Sequence, residues 1–258
     1  MVSSAIAATD PLAAKIHVIA DWSIMLSGTL GEADIFVDSL TREMLQGADN
    51  EPSTIRKYLE KVHREELAIW SAGRWLSPFG LNMDGFLQRG NALPPSVESD
   101  ISRNIAINAE NYDVEVIVCG WGETIKRLAT EKTSKPQSYI FSVDYSGVKL
   151  HKTAGLYACG SGASAALSTL YFHNYGPGCP LPRAIYLVAT AKFMAEKTLG
   201  VGPNTVMFAM KRTGGWIPIM PDHLKTIREL WKDEGAPRLP KAAEGLVSEL
   251  LKDKLREE

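Results

Sequence analysis

Val114-Glu115-Val116-Ile117-Val118-Cys119-Gly120-Trp121 decides the fold, together with residues 139–147 (YIFSVDYSG) and 155–166 (GLYACGSGASAA). The first two runs are short, apolar, rich in β-branched and aromatic residues and closed by glycine, which is the composition of strands bounded by turns. They read as the arms of an antiparallel hairpin. The third reads as a strand that breaks into a helix at Gly160-Ser161-Gly162, with Ser161 placed to cap it.

Toward the N-terminus, residues 4–9 form a short apolar run ended by Asp10-Pro11, and residues 15–27 alternate around Ile16, Val18, Ile24 and Leu26. Both read as strands, joined by a tight turn. Residues 33–46 carry apolar side chains at helical spacing, with Gly47 to stop them. Asn50-Glu51-Pro52-Ser53 then opens a second helix whose buried stripe is Ile55, Leu59, Val62, Leu67 and Trp70. Residues 77–113 lose this periodicity and are broken by Pro78, Gly80, Gly85, Gly90 and Pro94-Pro95. They read as an inserted segment with one short helix near 101–109.

Toward the C-terminus, residues 181–199 read as a helix facing inward through Ile185, Val188, Ala191, Met194 and Ala195. Residues 204–211 then form a strand that Gly214-Gly215 turns into a late hairpin with 216–220. The charged stretch 222–258 reads as helix, proline-containing break and final helix. The expected organisation is one domain over 1–221, carrying the insertion 77–113, and a helical tail over 222–258. Strands separated by pairs of helices imply two packed antiparallel sheets with helices on both outer faces. The expected class is α+β, a four-layer αββα sandwich.

Composition narrows the function classes. At 258 residues, 45% apolar and 22% charged, the chain has the make-up of a globular protein with a full core. A formal net charge of -2, from 28 basic and 30 acidic residues, supplies no general attraction to nucleic acid or to an anionic membrane. No run approaches the roughly 20 apolar residues that span a bilayer. Cys119, Cys159 and Cys179 lack CxxC spacing, and the five histidines lack metal-ligand spacing. These features predict a cytoplasmic protein with neither metal nor cofactor. No GxSxG elbow is present.

The residues resemble a known family. AATD at 7–10, KIHVI at 15–19, SGTLGEAD at 27–34, VIVCGWGE at 116–123, FSVDYSG at 141–147 and ACGSGASAA at 158–166 are similar, in order and spacing, to the β-type subunits of the proteasome and their bacterial relatives among the N-terminal nucleophile hydrolases. The resemblance covers about the middle three quarters of the chain. It implies threonine peptidase or amidohydrolase chemistry, in which a terminal threonine is nucleophile and its own α-amine the base. A lysine beside it lowers the pKa values of both groups, and backbone N–H groups at a glycine turn stabilise the oxyanion.

Carried over by position, the resemblance places the aspartate at Asp10, the lysine at Lys15, the serine at Ser161 and the oxyanion turn at Gly28 or Gly31. AATD corresponds to the family's second strand yet starts within ten residues of Met1, and Asp10 is joined to Lys15 by only a short turn. The expectation is therefore a chain lacking the strand that bears the nucleophile, and so impaired in catalysis. The alternative is a non-catalytic assembly or binding subunit. In both cases the expected partners are copies of the chain in a homo-oligomer or ring, with a peptide or amide as substrate if the chain is active.

Overall fold

The computed structural model describes residues 3–7, 15–47, 49, 51–89, 93–122, 136–211 and 215–236. Strand β4 (Val114–Gly122) and strand β5 (Gln137–Asp144) pair antiparallel from Val116 opposite Val143 to Gly122 opposite Gln137, as the opening runs predict. They form the middle of a five-stranded antiparallel sheet in the order β2-β3-β4-β5-β6, with β2 at Ile16–Ile19, β3 at Trp22–Gly28 and β6 at Gly147–Leu150. A second, three-stranded sheet has the order β1-β7-β8, from Ser3–Ala7, Val206–Met210 and Trp216–Pro218.

Alternation along the strands sends two apolar sets to opposite faces of the larger sheet. Ile24, Leu26, Val116, Val118, Phe141 and Val143 pack beneath helices α1 (Leu30–Gln46) and α2 (Pro52–Trp75), against Phe36, Leu40, Ile55 and Leu59. The other parity supplies Met25, Ile117, Cys119 and Ile140, a separate buried cluster on the second face. Burial on both sides explains why VIVC is continuously apolar and not alternating. The stripe expected for α2 is present, deepest at Ile55, Leu59 and Val62.

The second apolar body is built on α5 (Ala163–Phe172) and α6 (Leu181–Ala195). Helix α6 packs on α5, on β1 and on α7 (Pro221–Leu230), so residues around most of its circumference are buried. Leu224 and Trp231 close this cluster, with the Trp231 ring 5.5 Å from that of Phe193. Residues 221–236 therefore dock on the body. The final helix expected near Leu246 lies outside the described residues.

Several readings are corrected. Residues 15–27 are two strands and not one: Ile19 pairs with Trp22 around a two-residue turn, with Ala20 at φ 51°. Neither glycine nor asparagine marks that turn, so the alternation reads straight through it. Residues 3–7 do not pair with this hairpin, because they join β7 in the other sheet. Residues 155–159 are not a strand. The fifth place in the large sheet is taken by β6, and Gly155 and Gly160, both left-handed, turn the intervening chain off the sheet. The insertion holds two helices, α3 (Met83–Arg89) and α4 (Pro95–Ile107), around a small cluster of Leu76, Phe86 and Ile101. So small a core leaves little apolar periodicity to read.

Candidate functional site

The second face of the large sheet ends in a cavity of about 140 Å³. Its floor is Met25, Ile117, Cys119 and Ile140 from β3, β4 and β5. Its opposite wall comes from residues 156–163, from α5 and α6, and from Gly200 and Val201. Lys15 stands at the entry to β2, where its carbonyl accepts the Leu26 N–H at 3.0 Å and ties it to β3. Lys15 and Ser161 both line the cavity, so two residues 146 positions apart meet there through tertiary structure.

The turn that carries Ser161 is clamped from two sides. The Gly160 N–H donates to the Glu115 carboxylate at 2.6 Å, a charge-assisted bond stronger than a neutral one. Gly160 sits at φ 81°, and a β-carbon there would overlap the Ser27 hydroxyl. The turn thus rests on the ends of β3 and β4. Ser161 does not cap α5, contrary to its reading as an N-cap: the cap position is Gly162, and no side chain bonds to it. Its hydroxyl is left free of that local duty.

Gly28 and Gly31 do not line the cavity. Gly28, at φ 99°, ends β3 so close to Asp113 that a β-carbon would overlap the Asp113 carbonyl oxygen, which accepts the Thr29 N–H at 2.8 Å. Gly31 lies in the first turn of α1 with open space where a side chain would be. Asp10 lies outside the described residues.

Three groups that sequence reading missed belong to this region. Glu115 is the first, since a lone glutamate in a strand looks like a solvated position. Lys192 is the second: its side chain is fully buried, it lines the cavity, and its Nζ donates to Glu196 Oε1 and to the Gly202 carbonyl, each at 2.7 Å. Arg228 on α7 grips the same Glu196 with two bonds, at 2.5 and 2.8 Å, and lies 4.0 Å over the Phe193 ring. Burial alone would raise the Glu196 carboxyl, but hydrogen bonds from Arg228 and Lys192 outweigh it and hold the group below the usual carboxylate range. Burial pulls the Lys192 amine below its ordinary value, against the pull of Glu196. The signal in the sequence was Lys192 and Glu196 at i,i+4, within a helix apolar on every side.

The third is Tyr157, which lines the cavity and stacks on His151 with ring centres 4.2 Å apart. His151 Nε2 and the buried Ser142 Oγ share a hydrogen bond of 2.7 Å. Burial, and then the neighbouring Lys149, hold His151 below its ordinary pKa. Cys159, also in the lining, is pushed up to about 12 by burial, with Glu115 adding to the shift and Lys15 opposing it. It is therefore a thiol and not a thiolate nucleophile at neutral pH. Among the described residues no group of three His, Cys, Asp or Glu is placed to hold a metal ion. No described helix is long and apolar enough to cross a membrane.

No family model and no curated protein sequence matches the chain. Among solved structures it is similar to Anbu (ancestral beta-subunit) from Yersinia bercovieri, at 13% identity and a TM-score of 0.53 over 88% of this chain and 86% of that one. It is also similar to Anbu from Pseudomonas aeruginosa, solved as a helical assembly, at 14% identity and a TM-score of 0.44 over 86% and 82%. The resemblance to β-type proteasome subunits is thereby corrected. Anbu is a distinct family, and at 13% identity the likeness reports architecture. The motifs that carried the resemblance are strand, glycine turn and strand-to-helix junction, which the architecture itself requires. The chain has a proteasome-like fold, shared with Anbu, and the likeness is one of fold alone.

Proposed function

We propose that the chain is a binding protein of N-terminal nucleophile hydrolase architecture, related in type to threonine peptidases and amidohydrolases, which holds a peptide or amide in the Lys15–Ser161 cavity without cleaving it. The proposed architecture is the four-layer αββα sandwich, with α1 and α2 outside the large sheet and α5 and α6 beside the small one. The proposed organisation is a body over 1–221, carrying the insertion 77–113, and an appendage over 222–258.

The observation behind this reading is that Lys15 and Ser161 line one cavity with an apolar floor. Cleavage needs a nucleophile with a base beside it. Among the described lining residues there is no carboxylate and no imidazole, and the Cys159 thiol is held protonated. The Ser142–His151 pair has the right chemistry, but neither residue lines the cavity and Ser142 is buried.

The test is a panel of fluorogenic peptide amides, with intact-mass analysis after an acylating probe. No turnover and no adduct are expected, while peptide amides shift the thermal melt. Turnover that disappears in Lys15→Ala would overturn the non-catalytic reading.

A homo-oligomer is part of the proposal, supported by Phe172 and Leu199, which are 81% and 96% exposed. Light scattering at micromolar concentration should give a multiple of 28.2 kDa. A monomeric mass would remove this part.

A further inference from the structure

One wall of the cavity is a loop with little main-chain support of its own. Gly200 and Val201 line the cavity, yet residues 200–203 make one backbone hydrogen bond among the described residues, from the Val201 N–H to the Thr198 carbonyl at 3.3 Å. Two glycines in four residues, with Gly200 at φ 87°, leave this backbone intrinsically loose. It nevertheless lies against the turn that carries Ser161. A β-carbon on Gly200 would stand 3.7 Å from the Ser161 hydroxyl, and one on Gly162 would meet the Val201 side chain at 3.0 Å.

Side chains supply what the backbone lacks. The Gly202 carbonyl accepts from the Lys192 ammonium at 2.7 Å, and the Pro203 carbonyl accepts from the Arg228 guanidinium at 3.2 Å. Both cations converge on Glu196, which takes Lys192 at Oε1 and Arg228 at both oxygens. Lys192 belongs to α6, but Arg228 comes from α7, which follows β7 and β8 in the chain. Phe193 beneath the guanidinium seats it, as do Leu224 and Trp231 in the apolar cluster that Val201 also touches. A guanidinium can serve Glu196 and Pro203 together because its donors form a fixed fork. We infer that Arg228 is a positioning residue for the cavity: from α7 it holds the 200–203 wall against the Ser161 turn, so that access to the cavity depends on the docking of α7. This goes beyond the binding reading, since it concerns how the wall is held and stands whatever the cavity takes.

Cys159 lines the cavity and reports on that wall, whereas Cys179, just ahead of α6, lies outside the lining and serves as an internal reference. The experiment treats the full chain with methyl methanethiosulfonate, a small neutral thiol reagent, and reads the labelling rate of each cysteine by peptide mass mapping. Arg228→Met keeps the aliphatic stem and removes the fork. It is expected to speed labelling of Cys159 at least fivefold relative to Cys179. Arg228→Lys has one nitrogen to serve either Glu196 or Pro203, so a smaller acceleration is expected. Leu187→Ala is the control. Leu187 is buried in the same cluster but does not line the cavity, so its truncation destabilises the body without removing a bond of the clamp, and a change below twofold is expected.

An unchanged Cys159 rate in folded Arg228→Met would overturn the inference. Equal acceleration in Leu187→Ala would overturn it too, by reducing the effect to a general loss of stability. Should Arg228→Met not fold, Arg228→Lys decides: labelling at the unaltered protein's rate overturns the inference, and acceleration confined to Cys159 supports it. None of these outcomes bears on what the cavity binds, so the binding reading stands or falls by its own test.

Discussion

Replacing Glu196 with glutamine tests the reasoning about buried charge most directly. Glutamine keeps the shape and one carbonyl acceptor, so the change removes one negative charge from between two cations. Arg228, 25% exposed, has access to water after the change, whereas Lys192, 0% exposed, has none. Breaking a buried ion pair by removing one partner costs about 3–5 kcal/mol, because the other charge is left uncompensated. A solvated pair would cost only about 0–1 kcal/mol. For a chain of this size the larger figure corresponds to a fall of roughly 6–20 °C in melting temperature.

The assay is urea unfolding followed by tryptophan fluorescence, with Trp231 in the affected cluster. The double variant Glu196→Gln with Lys192→Met should be more stable than Glu196→Gln alone, since the methionine removes the stranded charge and retains the packing. The pH dependence has a definite sign. The Glu196 carboxyl is held below its ordinary value of 4.5, so its contribution is complete above that pH and is lost as pH falls through the native-state value. Glu196→Gln should lack that part of the acid sensitivity. A cost below about 1 kcal/mol with an unchanged m-value, or additive single and double variants, would refute the argument.

The two glycines assigned to an oxyanion turn should behave oppositely. Gly28→Ala forces an L side chain into a left-handed conformation and onto the Asp113 carbonyl, which cannot retreat without losing the Thr29 N–H, so a loss of about 2–4 kcal/mol is expected in urea unfolding. Gly31→Ala meets open space within a helix and should gain up to about 1 kcal/mol. Equal effects at the two positions would contradict the described backbone.

His151, held below its ordinary value of 6.5 by burial and by Lys149, takes up its proton later in the native state than in the unfolded one. Stability should therefore fall as pH drops from about 7.5 to about 5, and His63, lowered by burial, adds a change of the same sign. His151→Gln should flatten that slope in unfolding curves, and an unchanged slope would exclude His151 as a contributor.

Much of the framework was legible because it is written in local periodicity. The hairpin of β4 and β5, the helices over 30–46 and 52–75, and the late hairpin with β8 each follow from apolar residues recurring at the spacing of their own element. The turn at Ala20-Asp21 was hidden because no turn-forming residue marks the left-handed position. Helix α3 and the first turns of α4 were hidden, while the rest of α4 overlaps the short helix read near 101–109, because a cluster of three buried residues needs little pattern. At the site, Lys15 and Ser161 were found through their motifs, whereas Glu115 and Lys192 were not. A charged residue within an element looks solvated until its partners are known: Gly160 lies 45 positions from Glu115, and the Gly202 carbonyl that shares Lys192 with Glu196 lies beyond the end of the helix.

Sequence alone determined most of the long strands and helices, among them β4, β5, α1 and α2, and which of their faces turn inward, because those choices depend on neighbours within a few residues. Tertiary structure decided which segments share a sheet, sending residues 3–7 to β7 and residues 16–19 to β3. It also decided that two lysines distant in the chain line one cavity without an acid among its described lining residues. Charge balance in a closed space depends on every group brought to it, and that sum exists only once the chain has folded.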